Sequence, residues 1–180
     1  MPVSGIAPLP VNFVLGTAVP TGQIALDLKG TGHVDFQGPT LDGQSFTYGE
    51  AGIFTPTVRV IDSAGRTIAA TTVVLVEDAH TVTTRFQALW ASFRARLQAG
   101  DVPGALAHLA PALQPRFRTV FEQLGSALPT IATALTDLHV TEQTGDLAEA
   151  VIRQAEASGP ALYFLQFRRD GLGRWLIEEM

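Results

Sequence analysis

The chain reads as two successive domains, an all-β sandwich over residues 1–78 and an α+β domain of helices followed by an antiparallel sheet over residues 79–180. Three observations predict this. The apolar pattern has a period of two, punctuated by Gly and Pro, as far as Glu77 to Thr81, and there it changes to a helical period. From Leu138 onward the alternation returns. The length of 180 residues exceeds the usual size of a single sandwich and accommodates two cores of about 75 to 100 residues each.

In the first part, Val11, Phe13 and Leu15, then Ile24, Leu26 and Leu28, alternate between Gly and Pro breaks and predict short strands with one buried face. Phe54, Pro56, Val58 and Val60 alternate with Thr55, Thr57 and Arg59 and predict another. Asp62-Ser63-Ala64-Gly65 supplies turn chemistry, and the β-branched run Ile68 to Val76 is expected to return antiparallel as the second arm of a hairpin. Several short strands at this spacing predict a sandwich.

In the second part, Val82, Phe86, Leu89, Trp90, Phe93 and Leu97 recur at spacings of three and four and predict a long helix that ends at Gly100. Asp101 caps a short helix carrying Leu106 and Leu109, which Pro111 and Pro115 break. Phe117, Val120, Phe121 and Leu124 mark a third helix before Gly125, and Ile131 and Leu135 a fourth. Strands follow over 138–143, 147–153, 161–168 and 175–178. Their turns are Thr144-Gly145-Asp146, Ser158-Gly159-Pro160 and Asp170-Gly171-Leu172-Gly173. A meander placed after helices folds over the first helix and buries its stripe, which puts Trp90 and Trp175 in one interior.

The stretch from Phe46 to Gly65 reads F-x-Y-x-x-x-G-x-F-x-x-x-V-x-V-x-D-x-x-G, with Phe46, Tyr48, Gly52, Phe54, Val58, Val60, Asp62 and Gly65 at the fixed positions. This resembles the second half of a PKD (polycystic kidney disease-like) domain. Leu26-Asp27-Leu28-Lys29-Gly30 is similar to the W-D-F-G-D-G of that family's first half, without the Trp and the second acid. The resemblance covers about residues 5–77 and implies an immunoglobulin-like sandwich outside the cytoplasm. In the second part, Gly100-Asp101 to Ala105-Leu106 and the ending Arg168-x-Asp170-Gly171-x-Gly173-x-Trp175-x-Ile177 resemble helix-then-sheet domains of the nuclear-transport-factor-2-like/cystatin-like group. The pair together is similar to segments of large secreted bacterial repeat proteins.

Composition narrows the function classes. With 46% hydrophobic and 16% charged residues the chain reads as ordered. Twelve basic against 17 acidic residues leave a net charge of −5, with no polybasic patch, which argues against a sequence-independent grip on nucleic acid or anionic lipid. No apolar run approaches the length of a membrane span. The first fifteen residues lack a basic region and carry Pro2, Gly5, Pro8 and Pro10, so they do not read as a signal peptide; the expectation is a piece of a longer precursor. Zero cysteines exclude disulfides, thiolate metal sites and cysteine nucleophiles.

Candidate chemistry is sparse. The loop from Asp27 to Asp35 has the outline of a D-x-D-x-D-G calcium loop, but Lys29 stands where an acid belongs, and the reading is a Gly-rich turn that binds no calcium. His33, His80, His108 and His139 show no spacing for zinc or nucleophilic chemistry. His139 points to the wet face or, with inverted register, into a pocket. Domains similar to nuclear transport factor 2 often enclose a cone, and Asp137, His139, Arg153, Tyr163 and Arg168 are the candidates for its interior here. The competing reading fills the cone with Trp90, Phe93, Phe117, Phe164 and Trp175. Arg168, Arg169, Arg153 and Arg174 form either a small basic face for a carboxylate or sulfated glycan, or outward positions balanced by Glu149, Glu156, Glu178 and Glu179.

The expected function is therefore a non-catalytic extracellular structural, adhesive or protein-interaction module with no catalytic, cofactor-binding or metal residues and no cofactor. Its partners are other proteins or other domains of a longer chain, with a glycan as a further option and no nucleic acid. The alternative is a small-molecule-binding or enzymatic second domain with the sandwich as spacer.

Overall fold

The computed structural model describes residues 3–16, 21–62, 64–135, 138–156 and 159–180; of the turn residues named above, Ser63 and Ser158 lie outside them. The chain is a mixed α and β protein in which strands precede a helical segment and strands follow it. Its packing divides it into two compact units, Met1–Asp78 and Ala79–Met180.

In the first unit the strands are β1 (Val3–Ile6), β2 (Leu9–Val11), β3 (Thr21–Asp27), β4 (Phe36–Gly38), β5 (Phe46–Tyr48), β6 (Gly52–Phe54), β7 (Thr57–Asp62), β8 (Thr67–Thr71) and β9 (Val74–Glu77). One antiparallel sheet has the order β4-β3-β7-β8; β2 pairs with β5; and β9 lies between β1, which is parallel to it, and antiparallel β6. Two expected strands are each divided between sheets. The run through Phe54 and Val60 breaks at Thr55-Pro56, and the run from Ile68 to Val76 breaks at Thr72-Val73. The physical reason is Pro56, which has no N–H to continue a ladder. Its carbonyl accepts the Thr72 N–H at 3.1 Å, so both chains change sheet side by side. Between those points β7 and β8 form the expected hairpin, and beyond them Phe54 pairs with Val74.

This crossing gives the unit two cores. Leu9, Val11, Tyr48, Val74 and Val76 form one, and Ile24, Leu26, Leu41 and Val60 form the other. Phe13 and Leu28 pack against both, although neither lies in a strand. The alternation expected through Leu15 and Leu28 is thus real as burial while the ladders end earlier, at Val11 and Asp27. After Asp27 the chain turns tightly, and Gly30, with φ +73°, lies where any Cβ would collide with Thr55.

The second unit contains α1 (Ala79–Gln98), α2 (Val102–Leu106), α3 (Gln114–Leu124), α4 (Leu128–Ala134), β10 (Leu138–Thr144), β11 (Leu147–Glu156), β12 (Gly159–Arg169) and β13 (Trp175–Glu179). The strands form an antiparallel meander in chain order. Helix α1 buries Val82, Phe86, Trp90, Phe93 and Leu97, one side chain per turn of the expected stripe, and Leu89 sits at its margin. Facing residues of the sheet include the buried Leu138, Ala150, Leu165, Phe167 and Ile177. Phe86 makes ring contact with Phe167 and with Trp175, both at 4.9 Å between centroids.

Three local expectations are corrected. Leu109 lies beyond α2, in a bridge to Ile177: the Ile177 N–H donates to the His108 carbonyl at 2.9 Å, and the Ala110 N–H donates to the Ile177 carbonyl at 2.8 Å. The segment therefore covers the outer edge of β13. Pro115 does not end a helix but begins α3, in the first turn where its missing N–H has no intrahelical role. In α4 the inward residues are Leu128 and Ala132, while Ile131 is exposed and Leu135 follows the helix.

Candidate functional site

The concave feature of the second unit follows from the alternation of β12. Tyr163, Leu165 and Phe167 share the face toward the helices. Phe167 and Leu165 are buried, whereas Tyr163 is 44% exposed, so the layer is packed at one end and open at the other. The opening is a cleft of about 480 Å³ whose lining includes Trp90, Leu135, Ile152, Tyr163, Leu165 and Met180. Its volume suits a small ligand, and the side chains along it are apolar or aromatic, with the β12 segment through Leu162 and Phe164 at its margin. Such a surface can bind apolar groups by desolvation.

The five cone candidates are not brought together. Leu138 pairs with Ile152, both buried toward the helices, so the next pair, His139 with Val151, faces away. Arg153, paired with Leu162, and Arg168, paired with Leu147, lie on that same outer face, across the sheet from Tyr163. Asp137 is outside the described residues. The aromatic filling is also corrected in part. Trp90, Phe93 and Phe117 are buried, with Phe121 between the last two at 6.3 and 5.7 Å. Trp175 is only half-buried, beneath the Arg169 guanidinium at 5.6 Å. Phe164 is 74% exposed, because an even-numbered residue of β12 must face opposite to Leu165. The alternation Tyr163, Leu165, Phe167 was the available signal.

Three of the four arginines are engaged locally. Arg168 pairs with Glu178, Arg169 with Asp146 at 2.6 Å, and Arg174 with Asp170 at 2.8 Å. Of the expected balancing acids, Glu178 has this role, and Asp146 and Asp170 supply the rest.

Four acids with shifted titration, Asp27, Asp62, Asp101 and Asp170, close backbone structure. Asp27 is buried, and burial pushes its carboxyl up, but N–H groups of Gly32, Thr31, Gly30 and Lys29 outweigh this and hold it below the usual carboxylate range. Its Oδ1 accepts from Lys29, Gly30 and Thr31 at 3.1, 2.8 and 3.2 Å, and Oδ2 from Gly32 at 2.5 Å. Asp35 Oδ2 accepts the Leu28 N–H at 2.7 Å. The loop resembles a cation cradle in sequence, yet its central carboxylate is ringed by donors that repel a cation. Among the described residues no three His, Cys, Asp or Glu side chains converge as a metal site.

A five-residue turn occurs twice. In Asp62-x-x-Gly65-Arg66 and Asp170-x-x-Gly173-Arg174, the aspartate N–H donates to the arginine carbonyl at 2.9 and 2.8 Å, and the glycine N–H donates to the aspartate carbonyl at 2.9 Å in both. The carboxylate then accepts the arginine N–H at 2.8 Å in each turn, and arginine Nε at 2.8 and 2.9 Å. Both glycines have positive φ, +78° and +82°. Donation from the arginine backbone, foremost, holds both carboxyls below their ordinary range. The repeated D-x-x-G-R string is legible in the sequence at residues 62–66 and 170–174. Asp101 behaves similarly at α2, accepting the Gly104 N–H at 2.9 Å with Arg96 beside it.

Sequence spacing did not reveal the contact between His108 and Ser92. His108 Nδ1 lies 3.0 Å from the Gly104 carbonyl, which can only accept, so Nδ1 carries the proton there and in the neutral ring Nε2 accepts the Ser92 hydroxyl at 2.9 Å. Ser92 is mid-helix in α1, where backbone N–H groups serve the helix and offer no oxyanion donors. The pair fastens the end of α2 to α1.

Among the described residues no helix is long and apolar enough to cross a membrane. Comparison of the chain with protein-family models, with curated proteins and with solved structures returns no match.

Proposed function

We propose that this chain is a non-catalytic structural or protein-interaction module of an extracellular or cell-surface protein, its first unit an immunoglobulin-like sandwich of the PKD type and its second a domain like nuclear transport factor 2. The observation that carries the reading is the use of the shifted acids. Groups with perturbed titration often mark reactive sites. Here Asp27, Asp62, Asp101 and Asp170 each hold a turn or a cap, which is the chemistry of a scaffold. Supporting the PKD-type reading, Tyr48 of the quoted motif donates its hydroxyl to the Leu28 carbonyl at 2.9 Å and contacts Phe54 at 4.7 Å, and Phe46 packs between Phe13 and Phe36.

Brief protease treatment of intact cells of the source organism, followed by mass spectrometry, tests this placement. Peptides of this chain are expected in the supernatant before lysis. Their recovery only from lysed cells contradicts it.

The apolar cleft favours a second reading, in which the second unit holds a neutral small molecule against Trp90 and Tyr163. Titration with the uncharged probe N-phenyl-1-naphthylamine separates the two. Saturable binding that Leu165→Ala alters supports the ligand site, and the scaffold reading predicts no saturable signal.

A further inference from the structure

We infer that the edge of β8 is a pairing surface for a second copy of this chain, joined antiparallel about a two-fold axis at Ala69. Strand β8, Thr67-Ile68-Ala69-Ala70-Thr71, ends the sheet β4-β3-β7-β8, and all five residues are exposed. Its outward backbone groups follow from the ladder. Asp62 bonds with Arg66 and Pro56 with Thr72, so alternation makes Val60–Ile68 and Val58–Ala70 the hydrogen-bonded pairs within the sheet. The N–H and C=O groups of Thr67, Ala69 and Thr71 therefore point to the open side. Among the described residues no strand pairs there.

Natural edges of this kind are normally guarded by charge, proline, a bulge, shortness or a covering segment. Segment 108–110 covers the edge of β13, and edge strands β4 and β6 have three residues each. By contrast, β8 has five, pairs with β7 without a bulge and carries neither charge nor proline.

The strand also fits itself. Antiparallel pairing about Ala69 sets Thr67 against Thr71 and Ala69 against Ala69, and these are the residues whose backbone groups point outward. No charge meets its like, although the chain carries −5 overall. On the core-facing side Ile68 would lie opposite the partner copy's Ala70. Ile68 shares the face of buried Val60 yet is 48% exposed, and an apolar groove of about 150 Å³ lined by Phe13, Leu15, Leu41, Val58 and Ala70 opens beside it. A second β8 continues the sheet over that gap. This pairing does not depend on compartment or on the cleft of the second unit.

Sedimentation equilibrium of the full chain up to sub-millimolar concentration is expected to show a reversible dimer. Ala69→Pro removes an N–H that the β7 ladder does not use, and Ala69→Lys sets two cations against each other across the axis. Each is expected to raise the dissociation constant by about tenfold or more with the melting temperature of the dilute monomer unchanged for Ala69→Lys. A wild-type chain that stays monomeric, or a dimer indifferent to Ala69→Lys, overturns the inference.

Discussion

At the scale of single residues, the acids explain a pH profile. Donation to Asp62 from the Arg66 backbone, and to Asp27 from Gly32 and its neighbours against burial, lowers both folded-state values below those of the unfolded chain, about 3.9. A lowered folded value means stabilisation present above the unfolded value and lost as pH falls through the folded one. Thermal melts are therefore expected to be level from neutral pH to about 5 and to fall below about 4. Asp62→Asn is expected to lower the neutral-pH melting temperature and flatten the acid dependence; an unchanged acid profile would show that Asp62 has no part in it. Tyr48 behaves oppositely. Burial first, then the charges of Asp35 and Asp27, pushes its phenol up to about 12. Its stabilisation is full below the unfolded value near 10 and is lost as pH rises toward 12. Tyr48→Phe removes the bond to the Leu28 carbonyl and is expected to cost about 1 kcal/mol in urea denaturation.

At the scale of elements, the long helix and the meander were legible because their periods are long and uninterrupted. One side chain per turn from Val82 to Leu97 survives as burial. The divided strands of the first unit were less legible, since period two reports facing and not the identity of the neighbouring strand. Pro56 within the alternation was the one local signal of a break. Leu109 shows the converse limit: an apolar residue at helical spacing is buried equally well by a bridge to Ile177. The cone reading anticipates a hollow between sheet and helices and fills it with either polar candidates or aromatics, and parity with Leu165 puts Phe164 on the outer face instead. The same parity yields a paired prediction. Trp90→Ala, at a 2% exposed site facing the sheet, is expected to cost about 3–5 kcal/mol by chemical denaturation. Phe164→Ser, on the outer face, is expected to stay within about 0.5 kcal/mol of the original stability. Equal costs would contradict the assigned faces of β12.

At the scale of the whole molecule, the change of hydrophobic period near Asp78 coincides with the place where packing divides the chain, Asp78 to Ala79. Self-sufficiency of each part is a stronger proposition, because a unit can be compact in the chain and still require its neighbour to fold. A spacer or adhesive module of two self-sufficient units predicts that each withstands separation. Differential scanning calorimetry of residues 79–180 expressed alone, beside the full chain, tests this most directly. The fragment is expected to remain soluble and to melt cooperatively, reproducing one transition of the full chain. A fragment that is unfolded alone, while the full chain melts in a single transition, would contradict the architecture of two self-sufficient units.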